Sequence, residues 1–191
     1  MSIAIAAGGA YETTLVPWVA QNSATVTRDS TNPCWGSWAA KVVTGGAGDF
    51  EGLSSTSGIT TGATILASTQ HTLSVYVDFP SGEDFTVFGA QYTAAGAHVA
   101  NVQDTFTGTD DYQRAAVTFT SGATGVRLVD LRVMSRVVAA SRTFFVDGWQ
   151  LDQAATAQTY DGTDAVVAMV APIMAGNGVR QPGVACILSR A

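Results

Sequence analysis

The stretch His71-Thr72-Leu73-Ser74-Val75-Tyr76-Val77-Asp78-Phe79 alternates without a break. Leu73, Val75, Val77 and Phe79 fall on one side of an extended chain, and Thr72, Ser74, Tyr76 and Asp78 on the other. That period of two marks a strand with one face buried and one face polar. Outward from it the same signature recurs. Residues 85–92 read as a strand with Gly89 as a bend or bulge, residues 99–106 as the next, and residues 112–120 as another, with Val117 and Phe119 alternating against Arg114, Ala116 and Thr118. Residues 125–134 and 143–151 close the series, and upstream residues 24–28 and 40–44 read as strands. Turn-forming residues separate them at 29–33, at Gly45, Gly46 and Gly48, at 80–84, at 108–111 and around Gly122 and Gly125. Residues 54–64 read as a polar loop. Short strands between turn signals, with no convincing amphipathic helix, predict an antiparallel sandwich or barrel.

Composition agrees. Of 191 residues, 47% are hydrophobic and only 13% charged, against a usual charged share of about a quarter. Lys41 is the one lysine and Glu12, Glu51 and Glu83 the only glutamates, so the surface is built from Thr, Ser, Gln, Gly and Ala, which suits sheets better than helices. A net charge of -6 argues against nucleic acid and anionic membranes, both of which need a basic patch. Arg127, Arg132, Arg136 and Arg142 read instead as solvated edges of neighbouring strands. Cys34 and Cys186 belong to no Cys-x-x-Cys pattern, which argues against a zinc or redox site; buried thiols are favoured over a Cys34–Cys186 bridge. Residues 1–10 lack the basic start of a secretory signal, so synthesis in the cytoplasm without export is expected. The apolar run 165–175 is broken by Pro172 and falls short of the roughly 20 residues a spanning helix needs, so no membrane insertion is expected.

Asp147 is the most informative charged residue, because it interrupts the apolar run Phe144, Phe145, Val146 and Trp149. Burying an unpaired carboxylate is costly, so Asp147 is expected either at the rim of a sheet or against something cationic. Catalytic patterns are absent: His71 and His98, the only histidines, stand in no metalloprotease or hydrolase motif and read as surface or strand-edge residues. The pairs Glu83–Asp84 and Asp110–Asp111 lie in turns, where acids are ordinary, although glycoside hydrolysis does need two carboxylates. The glycines of residues 45–52 make a poor phosphate loop, since neither lysine nor helix follows.

Tyr11-Glu12 with Trp18, then residues 36–43, 71–77 and 112–120, and finally Phe145-Val146-Asp147-Gly148-Trp149-Gln150-Leu151 together resemble a carbohydrate-binding module of the jelly-roll type. Such modules occur beside bacterial glycoside hydrolases and in bacteriophage virion proteins. The closing Trp149-Gln150-Leu151-Asp152, followed by Ala155-Thr156 and Tyr160, resembles the last strand of such domains in phage tail proteins. The resemblance implies a structural calcium ion held by Glu12 and Asp147, carboxylates being what a hard cation requires. The alternative is that both are rim carboxylates bonded to backbone amides. Gly148 stands where the family has a second aspartate, which weakens the metal case. For sugar binding the resemblance points to aromatic faces, with Trp35, Tyr76 and Tyr92 as candidates; the alternative is that they cap the core with their polar tips in water.

The expectation is therefore an all-β, antiparallel jelly-roll β-sandwich over residues 1–163, followed by a C-terminal apolar arm over residues 164–191 that serves oligomer or particle attachment. The function expected first is that of a non-enzymatic bacteriophage virion protein, a minor tail or capsid-surface component. Its partners would be other virion proteins, further copies of itself and a host-surface glycan. A free carbohydrate-binding module is the alternative, and a small glycoside hydrolase stands behind both.

Overall fold

A computed structural model describes residues 2–4, 11, 15, 18–55, 63–137 and 140–159. The expected arm over 164–191, Glu12 and Cys186 lie outside them. Twelve strands lie among the described residues: β1 Ser2–Ala4, β2 Trp18–Gln21, β3 Thr25–Asp29, β4 Ala39–Val43, β5 Gly52–Ser55, β6 Ala63–Thr64, β7 Gln70–Asp78, β8 Asp84–Tyr92, β9 His98–Thr107, β10 Tyr112–Thr120, β11 Arg127–Ser135 and β12 Thr143–Asp152. They form two antiparallel six-stranded sheets. The first runs β10-β7-β12-β4-β3, with β1 also on β12; the second runs β2-β5-β11-β8-β9, with β6 also on β11. This is the antiparallel sandwich that the alternation predicts, in the all-β jelly-roll form that the resemblance implies. The stretch expected to be a loop, 54–64, holds the end of β5 and all of β6.

The core lies between the sheets. Leu73, Val75, Val77 and Phe79 are fully buried, as their spacing predicts. Phe79 meets Phe85 and Phe144 at centroid distances of 5.1 and 4.9 Å. Trp18 of β2 and Trp149 of β12 come from opposite sheets and stack at 4.9 Å. Each such side chain contributes about 1.5–3 kcal/mol by leaving water.

The two central strands both break their alternation once. In β12 the pairing with β7 passes from Asp147↔Tyr76 to Gln150↔Ser74, so two residues of β12 stand opposite one of β7. Gly148 sits in this bulge at φ +57°, and the extra residue is what turns both Val146 and Trp149 inward. In β11 the pairing with β8 passes from Val129↔Ala90 to Arg132↔Phe88. Asp130 stands in that bulge at φ +55°, unusual for a residue other than glycine, and Leu128, Leu131 and Val133 all reach the core.

Two further features matter below. The turn between β4 and β5 wraps round Glu51, which is buried at 1% exposure. Gly45 and Gly46 donate their N–H groups to its Oε2, and Ala47 and Gly48 donate to its Oε1. Burial alone would push the Glu51 carboxyl up, but these four bonds outweigh it and hold it below the ordinary glutamate value. The glycine-rich turn is thus an anion cradle after all, and its anion is the chain's own carboxylate. The second feature is β9, an edge strand: between the core residues Val102 and Phe106 it carries exposed Asp104 on its core-facing side, in register with buried Val87.

Candidate functional site

Each sheet has an outer face. On the first sheet the register aligns Arg114, Tyr76 and Asp147 in one row, with Ala116, Ser74 and Gln150 in the next and Thr118, Thr72 and Asp152 beyond. Two segments cover these rows. The β3–β4 connection lies across one end. Cys34 and Trp35 donate their N–H groups to Asp147 Oδ2 at 3.1 and 2.8 Å, and Gly148 donates to Oδ1 at 2.8 Å. Asn32 Nδ2 donates to Asp78 Oδ2 at 2.6 Å, and Tyr112 Oη donates to the Asn32 carbonyl at 2.7 Å. The Trp35 ring meets Tyr76 edge-on at 5.6 Å. It stands over Gly148, where a Cβ would come within 2.9 Å of Trp35 Cδ1 and 3.0 Å of Tyr76 Cδ2.

Residues 153–159 cover the other end. Thr72 and Thr118 donate their hydroxyls to the carbonyls of Ala154 and Ala155. The Gln158 N–H donates to Asp152 Oδ2 at 2.8 Å, and the Gln158 carbonyl accepts from Arg114. Beneath them Gln150 Nε2 donates to both Asp152 oxygens, and Arg114 bonds Ser74 Oγ while its Nη2 stands 3.9 Å from Asp152. Thr72, Ser74, Asp147 and Asp152 are completely buried. This face is a largely covered polar layer, with Trp35, Tyr76 and Arg114 half-buried and Thr118 exposed.

The second sheet differs. Its register sets out the row Thr64, Arg127, Tyr92, His98, then Val129, Ala90, Asn101, then Ser54, Arg132, Phe88, Gln103. His98, Asn101 and Gln103 are exposed, Arg127, Tyr92, Arg132 and Phe88 half-buried, and Val129 and Ala90 between them buried. The β11 bulge organises the centre. Asp130 pairs with Arg132 through both carboxylate oxygens and accepts from Ser54 Oγ at 3.3 Å. The Arg132 guanidinium lies 5.2 Å from the centroid of the Phe88 ring, a cation–π contact. At the other row Tyr92 and His98 meet edge-on at 5.4 Å, and His98 Nε2 bonds Asn101 Oδ1 at 2.9 Å.

The expected sugar-binding residues therefore divide. Trp35 and Tyr76 touch each other on the covered face, both half-buried, whereas Tyr92 stands on the opposite sheet. The sequence reading missed Phe88, Arg132, Asp130, Arg127, Asn101 and Gln103. Its arginines on "strand edges" include Arg127 and Arg132 of β11, a central strand. Asp147 is not at a rim: it is fully buried, and among the described residues backbone N–H groups donate to it. Glu12, its expected partner for calcium, is outside the described residues. Among the described residues no three His, Cys, Asp or Glu side chains gather as a metal site. His71, expected at the surface, is buried under Leu66, whose carbonyl accepts from Nε2 at 3.1 Å, and it stacks on Phe119.

No family model matches this chain, and no curated protein matches it in sequence. Among solved structures it is similar to the CBM22-1 xylan-binding domain of Xyn10C from Paenibacillus barcinonensis, with a TM-score of 0.55 and 17% identity over 82% of this chain and 95% of that one. The C-terminal family 22 carbohydrate-binding module of Clostridium thermocellum Xyn10B gives 0.51 and 13% over 78% and 92%. The enzymatically active domain of bacteriophage CBA120 tailspike protein 4 gives 0.60 and 11%, over 79% of this chain but 21% of that one. At these identities the likeness is one of architecture: the chain has the jelly-roll β-sandwich fold of carbohydrate-binding modules.

Proposed function

We propose that this chain is a non-catalytic carbohydrate-binding module and that its glycan lies on the outer face of the β2-β5-β11-β8-β9 sheet. The observation that carries the reading is the row Arg132, Phe88, Gln103: an aromatic ring, a planar guanidinium beside it and a free-standing amide, side by side on an exposed face. Aromatic rings pack on the C–H faces of sugars, while guanidinium and amide groups bond hydroxyls. On the other face residues 153–159 and the β3–β4 connection cover much of the sheet, and the half-buried rings there, Trp35 and Tyr76, are turned edge-on to each other. The fold, shared with a xylan-binding domain, supports the reading and does not fix it.

The test is isothermal titration with soluble xylan. Phe88→Ala and Gln103→Ala should weaken binding with little change in Tm, whereas Trp35→Ala should lower Tm. Loss of binding in Trp35→Ala at unchanged Tm, with Phe88→Ala binding normally, would move the site to the first sheet. The likeness to a tailspike domain supports a second reading, a glycan-adhesive part of a virion with self-association. Electron microscopy of labelled particles separates it from a free module.

A further inference from the structure

The two arginines of the open face differ in their charge balance. Arg132 is neutralised by Asp130 through two contacts. Arg127 is held by the Thr64 hydroxyl through Nη1, and among the described residues no carboxylate comes within salt-bridge distance of it. A single unbalanced arginine is ordinary, but this one has a setting. Tyr92 lies directly across from it and His98 directly across from Tyr92. His98 braces the Tyr92 ring edge-on and is itself tied to Asn101. On the same face of β8, Phe88 stands four residues away, roughly 14 Å at about 3.4 Å per residue. None of the residues of these rows is a carboxylate, and Asp130, in the bulge between them, is already paired. One end of the face is therefore balanced and the other positive.

Resting on the glycan reading above, we propose that the polysaccharide this face accepts is acidic: a uronate-bearing chain whose carboxylate meets Arg127 while its neighbouring sugar rings lie along Tyr92 and Phe88. A guanidinium presents paired N–H donors in the geometry of a carboxylate. The chain's net charge of -6 repels polyanions at long range, so a preference for an acidic polymer has to come from a local contact of this kind.

The experiment compares a glucuronate-substituted xylan with the same polymer after its carboxyl groups are reduced to alcohols, by titration calorimetry on the full chain. The acidic polymer should bind about tenfold more tightly, the worth of one charge-assisted contact at a partly exposed site, and added salt should shrink the difference. Arg127→Gln, with its Tm checked, should abolish the difference, weakening the acidic polymer far more than the reduced one. Arg127→Lys, which keeps the charge and loses the fork, should restore part of it. Equal binding of the two polymers by the unaltered chain, or a preference that survives Arg127→Gln, overturns this inference and leaves the glycan reading standing. Binding of neither polymer overturns both.

Discussion

Replacing Glu51 by glutamine keeps the side chain's shape and removes its charge, which isolates the anion cradle of the β4–β5 turn. The carboxylate accepts four backbone N–H groups, two on each oxygen. A glutamine has one oxygen, so its amide nitrogen must face two of those donors, and two buried N–H groups lose their acceptor. At about 1–3 kcal/mol for each orphaned donor, the loss is roughly 2–6 kcal/mol. For a chain of this length each kcal/mol moves Tm by about 2–4 °C. A fall of roughly 10 °C at pH 7 is the central expectation for Glu51→Gln, read by calorimetry or by thermal circular dichroism. The pH dependence has a definite sign. Because folding lowers the Glu51 carboxyl below its ordinary value near 4.5, its stabilisation is complete above that value and is lost as pH falls through the lower, folded one. The gap between the unaltered chain and Glu51→Gln should therefore be widest at neutral pH and close under acid. A gap below about 3 °C at pH 7, or one that stays constant as the pH is lowered, would refute the cradle.

Three other outcomes are expected. Gly148→Ala should destabilise by at least about 1–2 kcal/mol for its left-handed backbone alone. It should cost less in a Trp35→Ala background, where the added methyl no longer meets the indole. Asp147→Asn should cost about 1–3 kcal/mol by turning an amide toward backbone donors, with chelator leaving both proteins unchanged; a chelator effect on the unaltered chain that the variant lacks would instead establish the Glu12–Asp147 calcium ion. Deleting residues 165–191 should leave the Tm of the sandwich unchanged if they form an attachment arm, and a lowered Tm would show that they pack on the core.

The architecture was legible where alternation was clean. His71 to Phe79 assigns its own faces, and residues 112–120 were bounded as β10. What alternation could not carry was the allocation of strands to sheets, because pairing is settled by contacts far apart in sequence. Tyr76 and Tyr92 therefore looked equivalent, although β7 and β8 belong to opposite sheets. The bulges did leave a trace: the inward residues step by three from Val146 to Trp149 and from Leu128 to Leu131. A period of two carried straight through those steps misses Asp130, and with it the pairing that holds Arg132 on Phe88. Glu51 escaped for a different reason. Its glycines read as a cradle for an outside phosphate, and nothing in the sequence marks Glu51, three residues after Gly48, as the occupant.

The placement of Asp104 bears on how densely such molecules can be gathered on a surface. β9 ends its sheet, and its outward N–H and C=O groups are a ready template for a strand from a neighbouring molecule. A neighbour extending the sheet there would lay its own apolar side chains over the core-facing side of β9, where Asp104 stands between Val102 and Phe106. Joining would strip water from a carboxylate with nothing cationic to receive it, a penalty of several kcal/mol. Copies crowded side by side are thereby kept from zipping into a continuous ribbon, and each retains its own open face.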